Sequence, residues 1–289
     1  MQGQDGGGNI LLMITDTAGG RGGPRPQMFY YVADGPKGSV GQQGPGGREE
    51  LGHRVHALLD EIGPDSVQAA IGRLEEMELH AAEVRAVIRI FVDGALADPQ
   101  RCEAYIDVLL ALRGRYPELP PETEGERPQA FQRVLLNMCQ AEFEDSPQTF
   151  EPTEEERQRY APEELQLEME RRKDKLLANM KLIGTLYLRR VLVVKVIDRV
   201  VRDLLGDDEA VPEEPMVECA CELLEAIGST LDANDSDRAL MGQFAARLVA
   251  LRVLTGSDGH QVYSWRVKSR IQDLLDLRIK RWQRHLVKR

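Results

Sequence analysis

The stretch Asn179 to Leu205 reads NMKLIGTLYLRRVLVVKVIDRVVRDLL, and its reading decides the fold class. Its aliphatic residues fall at Leu182, Ile183, Leu186, Val191, Val194, Ile197, Val200, Val201 and Leu204. Steps of three and four recur, with one slip near Arg189 and Arg190. That spacing lays an apolar stripe along a helix, and no period-two alternation competes with it. Lys181, Arg189, Arg190, Lys195, Asp198, Arg199, Arg202 and Asp203 fill the positions between. A helix of this kind is half buried and needs a neighbour with a matching stripe. The implied unit is therefore a packed helix pair.

The same texture continues upstream. Leu51, Val55, Leu58, Leu59 and Ile62 mark a first helix, which Gly63-Pro64-Asp65 breaks. Pro64 suits the first turn of the next, marked by Val67, Ala70, Ile71, Leu74 and Met77. Val84, Val87, Ile88, Phe91 and Val92 mark a third helix, closed by Asp98-Pro99. Tyr105, Val108, Leu109 and Leu112 mark a fourth, closed by Pro117 to Pro121. Phe131, Val134, Leu135, Met138 and Phe143 mark a fifth. Downstream, helices are expected over Met216 to Leu231, around Leu240 to Leu254, and over Tyr263 to Trp282. Polar or glycine-rich joints separate them. The total is about ten helices of about 12–20 residues joined mostly by short loops, which makes neighbours antiparallel. The expected fold is all-α: an α-α superhelix, a HEAT-like solenoid of about five helix pairs. A four-helix bundle with extra helices is the alternative.

Composition agrees. In 289 residues, 42% are hydrophobic, enough for a sizeable core, while 5% are aromatic, which suits a Leu/Ala/Val helical core better than a sandwich of sheets. Residues 1–47 are rich in Gly, Pro and Gln and are expected to form a flexible tail ahead of a helical domain over 48–289. An acidic loop insert is expected near 145–163. From Asp145 to Glu170 nine acids face only Arg157 and Arg159. The basic group Arg171, Arg172, Lys173 and Lys175 beside it is expected to neutralise it.

The formal net charge of -11 argues against general attraction to nucleic acid, but the C-terminal end departs from that average. From Tyr263 to Arg289 nine basic residues stand against Asp273 and Asp276, interleaved with Tyr263, Trp265 and Trp282. Arg266, Lys268, Arg270, Arg278, Arg281 and Arg284 are thus candidates for phosphate contact, with aromatic stacking beside them. The opposing reading is a solvated last helix whose tryptophans seal the end of the fold. No catalytic constellation stands out. His53 and His56 are one helical turn apart without a third ligand in sight. Cys219-Ala-Cys221 is too tight for a zinc knuckle, and the four cysteines read as reduced core thiols. No metal, cofactor or catalytic residue is expected. No apolar run reaches the ~18–20 residues of a membrane span, so a cytoplasmic protein is expected.

The run Asn179-Met180-Lys181-Leu182-Ile183-Gly184-Thr185-Leu186 resembles the middle domain of eukaryotic translation initiation factor 4 gamma. Further blocks follow that family in order: Leu59 to Val67; Phe131 through Cys139-Gln140 to Glu144; Glu218-Cys219 through Ile227-Gly228 to Leu231-Asp232; and Ser269-Arg270-Ile271 to Arg278, with Trp282 beyond. The resemblance implies a translation-initiation scaffold that binds a DEAD-box RNA helicase, initiation factor 4A. It also implies contact with mRNA and other initiation factors. Leu59, Ile62, Pro64 and Val67 would dock one helicase lobe, and the basic end after Gly256 would touch RNA or the second lobe. Periodicity by itself makes Leu59, Ile62 and Val67 core residues. Relatives with this solenoid that act as RNA-binding, mRNA-decay or poly(A)-protein adaptors, or as general interaction solenoids, are the alternatives. Three departures stand out. Val67 replaces a family Phe. Val193 replaces a helix-capping Thr, a loss of about 1 kcal/mol or a sign of one longer helix. The last block is three residues short after Ile271, which would turn the remaining helix by about 60°.

Overall fold

The computed structural model describes residues 45–121, 126–147, 149–206, 210–257 and 259–283. The tail expected over 1–47 lies almost wholly outside them. The described residues form α1 (Pro45–Glu61), α2 (Val67–Glu76), α3 (Ala81–Ala97), α4 (Cys102–Arg115), β1 (Glu118–Leu119), β2 (Gln129–Ala130), α5 (Phe131–Glu144), α6 (Glu154–Arg159), α7 (Pro162–Leu188), α8 (Val194–Leu205), α9 (Glu214–Ala233), α10 (Asp235–Arg252) and α11 (Trp265–Ile279). The fold is all-α, and the one sheet among the described residues is the antiparallel pair of two-residue strands β1 and β2. That small pair was not foreseen, since two residues carry no readable periodicity.

The chain divides into two compact units. One is built on residues up to Ala95 and on Glu103–Gln140. Its core holds Val55, Leu58, Ile62, Leu74, Val87, Ile88, Phe91, Ile106, Leu109, Phe131 and Leu135. Phe91 and Tyr105 meet edge to face at 6.5 Å, the geometry favoured by the ring quadrupoles. The loop backbone is tied down from side chains. The Arg85 guanidinium donates to the Pro120 carbonyl at 3.1 Å, and Arg115 donates to the Glu75 carbonyl at 2.9 Å.

The other unit is built on Leu96–Cys102 and the chain from Ala141 onward. Its centre is α9, which packs against α7, α8, α10 and α11. That is why so much of α9 is apolar: Val217, Cys219, Ala220, Cys221, Leu223, Leu224, Ile227 and Leu231 are all buried. The Asn179 to Leu186 run lies in α7 against α9. A Cβ on Gly184 would sit 3.4 Å from Leu223 Cδ1 and 3.6 Å from Ile227 Cγ2, so the glycine lets the two helices approach closely. Asn179 is buried, and its amide donates to Ser146 Oγ at 2.9 Å and to the Lys175 carbonyl at 3.2 Å. This ties the chain after α5 to α7.

The organising stretch is two helices, not one longer helix. Arg190 takes a left-handed conformation (φ 57°). Arg190 N–H donates to the Tyr187 carbonyl and Val191 N–H to the Leu186 carbonyl, each at 2.9 Å, which closes α7 with a Schellman turn. Val193 precedes α8 without a side-chain cap, as its replacement of Thr implies. The acidic insert contains a short helix, α6, whose start is fixed by reciprocal bonds between Thr153 and Glu156. Arg172 pairs with Glu156, and Lys175 Nζ lies 2.6 Å from Asp145 Oδ2.

Candidate docking site

Two surfaces carry the residues singled out in the sequence. The first is the turn between α1 and α2. Its shape is set by Ser66, whose Oγ accepts from Gly63 N–H at 2.7 Å and donates to the Glu61 carbonyl at 2.9 Å. Arg73 pairs with Glu61 and braces the same turn. The four expected docking residues separate here. Leu59 is 6% exposed and Ile62 is 1% exposed, so both belong to the core rather than to the surface. Their apolar stripe faces inward, as helical periodicity requires of a half-buried helix. Pro64 is exposed and Val67 half-buried, so these two face solvent at the turn. Ser66, which rigidifies the turn, was missed in the sequence because a lone serine after a proline is a common turn residue.

The second surface is the basic end. Here α11 lies along α9, and carboxylates of α9 meet its arginines turn by turn. Arg266 reaches Glu218 at 2.8 Å and Glu214 at 3.9 Å. Arg270 reaches Glu222 and Glu225, each at 2.6 Å. Arg278 grips both oxygens of Asp232 at 2.9 Å, a bidentate fork. Glu218 also takes Lys173 from α7 and is 11% exposed, so three helices share one carboxylate. The arginines expected to contact phosphate are thus already paired within the fold. Arg266, Arg270 and Arg278 are neutralised by α9, and a phosphate would have to compete for them. Lys268 donates to Gln261 at 3.4 Å. Arg281 is exposed, in a left-handed conformation (φ 53°), and forms no ion pair among the described residues. Arg284 lies outside the described residues.

The end of α11 is folded back on α9. Trp282 N–H donates to the Leu277 carbonyl at 2.8 Å and Arg281 N–H to the Arg278 carbonyl at 2.9 Å, again a Schellman turn. This brings the Trp282 ring onto Gly228, and its indole N–H donates to Asp232 Oδ2 at 2.9 Å. Burial pushes the Asp232 carboxyl up, but the bonds from Arg278 and Trp282 outweigh it and hold the group below its usual value of 3.8. Helix α11 is unbroken, and Arg270 and Arg278, eight residues apart, both reach α9. By contrast Trp265, at the start of α11, is 78% exposed. It rims an open groove of about 410 Å³ with Lys173, Leu177, Glu222, Ser269 and Asp273.

The MIF4G domain family matches residues 53–281. The chain belongs to this family. Among relatives, eukaryotic translation initiation factor 4G of Arabidopsis thaliana is 30% identical over 245 residues, covering 81% of this chain and 13% of the relative. Eukaryotic translation initiation factor 4 gamma 1 of Mus musculus is 27% identical over 273 residues, covering 89% of this chain and 16% of the relative. The chain thus spans less than a fifth of the length of either relative. The crystal structure of the MIF4G domain of Trypanosoma cruzi translation initiation factor EIF4G5 superposes with a TM-score of 0.52 at 18% identity, covering 82% of this chain and 100% of that one. That likeness supports the α-α superhelix class expected from the sequence.

Among the described residues no group of His, Cys, Asp and Glu is placed to hold a metal ion, and His53 and His56 are exposed. All four cysteines are buried thiols that form no disulfide. Burial pushes the Cys219 and Cys221 thiols up to about 12, which keeps them protonated and inert. Among the described residues no helix is long and apolar enough to cross a membrane.

Proposed function

We propose that this MIF4G domain is the helicase-docking scaffold of a cytoplasmic translation-initiation factor. Its partner is a DEAD-box RNA helicase, initiation factor 4A, which binds at the turn between α1 and α2. Pro64 and Val67 make the contact, while Leu59 and Ile62 back the turn from the core. The family match over residues 53–281 carries this reading, and the solvent-facing Pro64 and Val67 support it.

The domain performs no reaction itself. A scaffold touching both helicase lobes raises their effective concentration for one another. It favours the closed helicase only to the extent that it binds that state better. ATP and magnesium belong to the helicase. Contact with mRNA or a second lobe falls on Lys268, Lys280 and Arg281, whose charges α9 does not take. Other initiation factors would assemble around the same module.

A pull-down with recombinant helicase tests the proposal. Wild type is expected to retain helicase, and Pro64→Glu combined with Val67→Asp to lose it, with circular dichroism unchanged. Equal retention by the folded variant would overturn the docking site. RNA binding with no helicase binding would point to an RNA adaptor instead.

A further inference from the structure

The fold leaves Trp265 78% exposed at the mouth of the groove between α7, α9 and α11. Scattered exposed valines are ordinary on a protein surface, whereas tryptophan is a residue type that anchors interfaces. The walls of the groove follow helical spacing. On α11, Trp265, Ser269 and Asp273 recur at steps of four and form one stripe. On α7, Lys173 and Leu177 form the facing stripe, and α9 supplies Glu218 and Glu222 between them. Leu177 is the one aliphatic side chain in the lining, so the groove is not built to take the apolar face of a helix.

Charge decides what it does take. Its cations are already committed: Lys173 and Arg266 to Glu218, Arg266 also toward Glu214, and Arg270 to Glu222 and Glu225. These three cations meet four carboxylates. Asp273 adds a fifth, which is exposed and forms no hydrogen bond or ion pair among the described residues. Exposed Glu170 stands one turn before Lys173 on the same face of α7. Lys268 sits on the flank of α11 and donates to Gln261 at 3.4 Å. The groove thus sets an open indole in a field of net negative sign. Indole is the best aromatic face for a cation, and a guanidinium can lie flat on it while its fork reaches a carboxylate. A nucleic acid could stack a base on Trp265, but its phosphates would enter a field of the wrong sign.

We infer that this groove docks a basic segment of a partner protein, with one arginine laid on the Trp265 ring and another paired with Asp273. The eight residues from Trp265 to Asp273 span about 12 Å along α11. An extended peptide covers that distance in about four residues, which sets the spacing of the two arginines.

The chain holds two tryptophans, Trp265 and Trp282, so the full chain labelled with 15N-tryptophan gives two indole signals in a nuclear magnetic resonance spectrum. Trp265→Phe assigns them, and seated Trp282 serves as the internal control. The probes are a Gly/Ser peptide carrying two arginines four residues apart, its twin with glutamates in their place, and oligouridylate. The arginine peptide is expected to move the Trp265 signal saturably and to leave Trp282 unmoved, and the glutamate twin to move neither. Asp273→Lys, shown to be folded by circular dichroism, is expected to raise the Kd about tenfold. A Trp265 signal indifferent to the arginine peptide, equal movement with the glutamate twin, or an unchanged Kd for Asp273→Lys would overturn the inference. Movement with oligouridylate but not with the arginine peptide would assign the groove to RNA and would overturn it equally.

Discussion

Gly228→Ala is the sharpest perturbation of the packing. A Cβ at this position would lie 2.7 Å from Trp282 Cζ3, and closer still to Cη2 and Cζ2 of the same ring. The ring cannot stay where it is. Moving it strains the turn at Arg281 and Trp282 and breaks the indole bond to Asp232, which is 2.9 Å long. Overpacking costs about 1–3 kcal/mol, and a hydrogen bond to a charged acceptor contributes about 1.5–3 kcal/mol. Against this, alanine in a helix interior is favoured over glycine by about 1 kcal/mol. The net expectation is a loss of about 2 kcal/mol, read as a lower urea midpoint with an unchanged slope. The same substitution in a Trp282→Ala background has no ring to meet. There it should stabilise by about 1 kcal/mol, so the two changes couple by about 3 kcal/mol. A Gly228→Ala variant as stable as wild type, or simple additivity of the two changes, would refute the Trp282 placement.

Other expectations follow from named contacts. Asn179→Ala deletes the two bonds of a buried amide and should cost about 1–3 kcal/mol by urea titration. Asp232 has its folded value held below 3.8, so its stabilisation is complete above 3.8 and is lost as pH falls through the folded value. Asp232→Asn should therefore be destabilised relative to wild type at neutral pH, and the gap should close in the acid limb of a stability-against-pH series. A gap that persists unchanged to about pH 2 would contradict the assignment.

The helices were legible because their apolar residues recur at steps of three and four, and that local pattern survives without tertiary information. The boundary between α7 and α8 showed only as a slip near Arg189 and Arg190, since the turn itself depends on Arg190 adopting a left-handed backbone while the aliphatic residues continue on both sides. The centrality of α9 was hidden for a related reason. A run such as Val217 to Leu224 announces burial, not the number of neighbours that provide it. The pairing of the basic end was not legible. Arg266 and Glu218, or Arg278 and Asp232, stand nearly fifty residues apart, so a count over Tyr263 to Arg289 saw only one side of each pair. Leu59 and Ile62 show the converse limit. The family block drew attention to the right turn, but helical periodicity had already assigned both side chains to the core, and they lie there.

The most direct test of the scaffold reading is a calorimetric titration of the chain with a DEAD-box RNA helicase, repeated with Val67→Glu. The account predicts saturable one-to-one binding for wild type and a Kd raised about tenfold to a hundredfold for the folded variant, about 1.4–2.8 kcal/mol. No measurable binding by wild type, or an identical Kd for the variant, would contradict it.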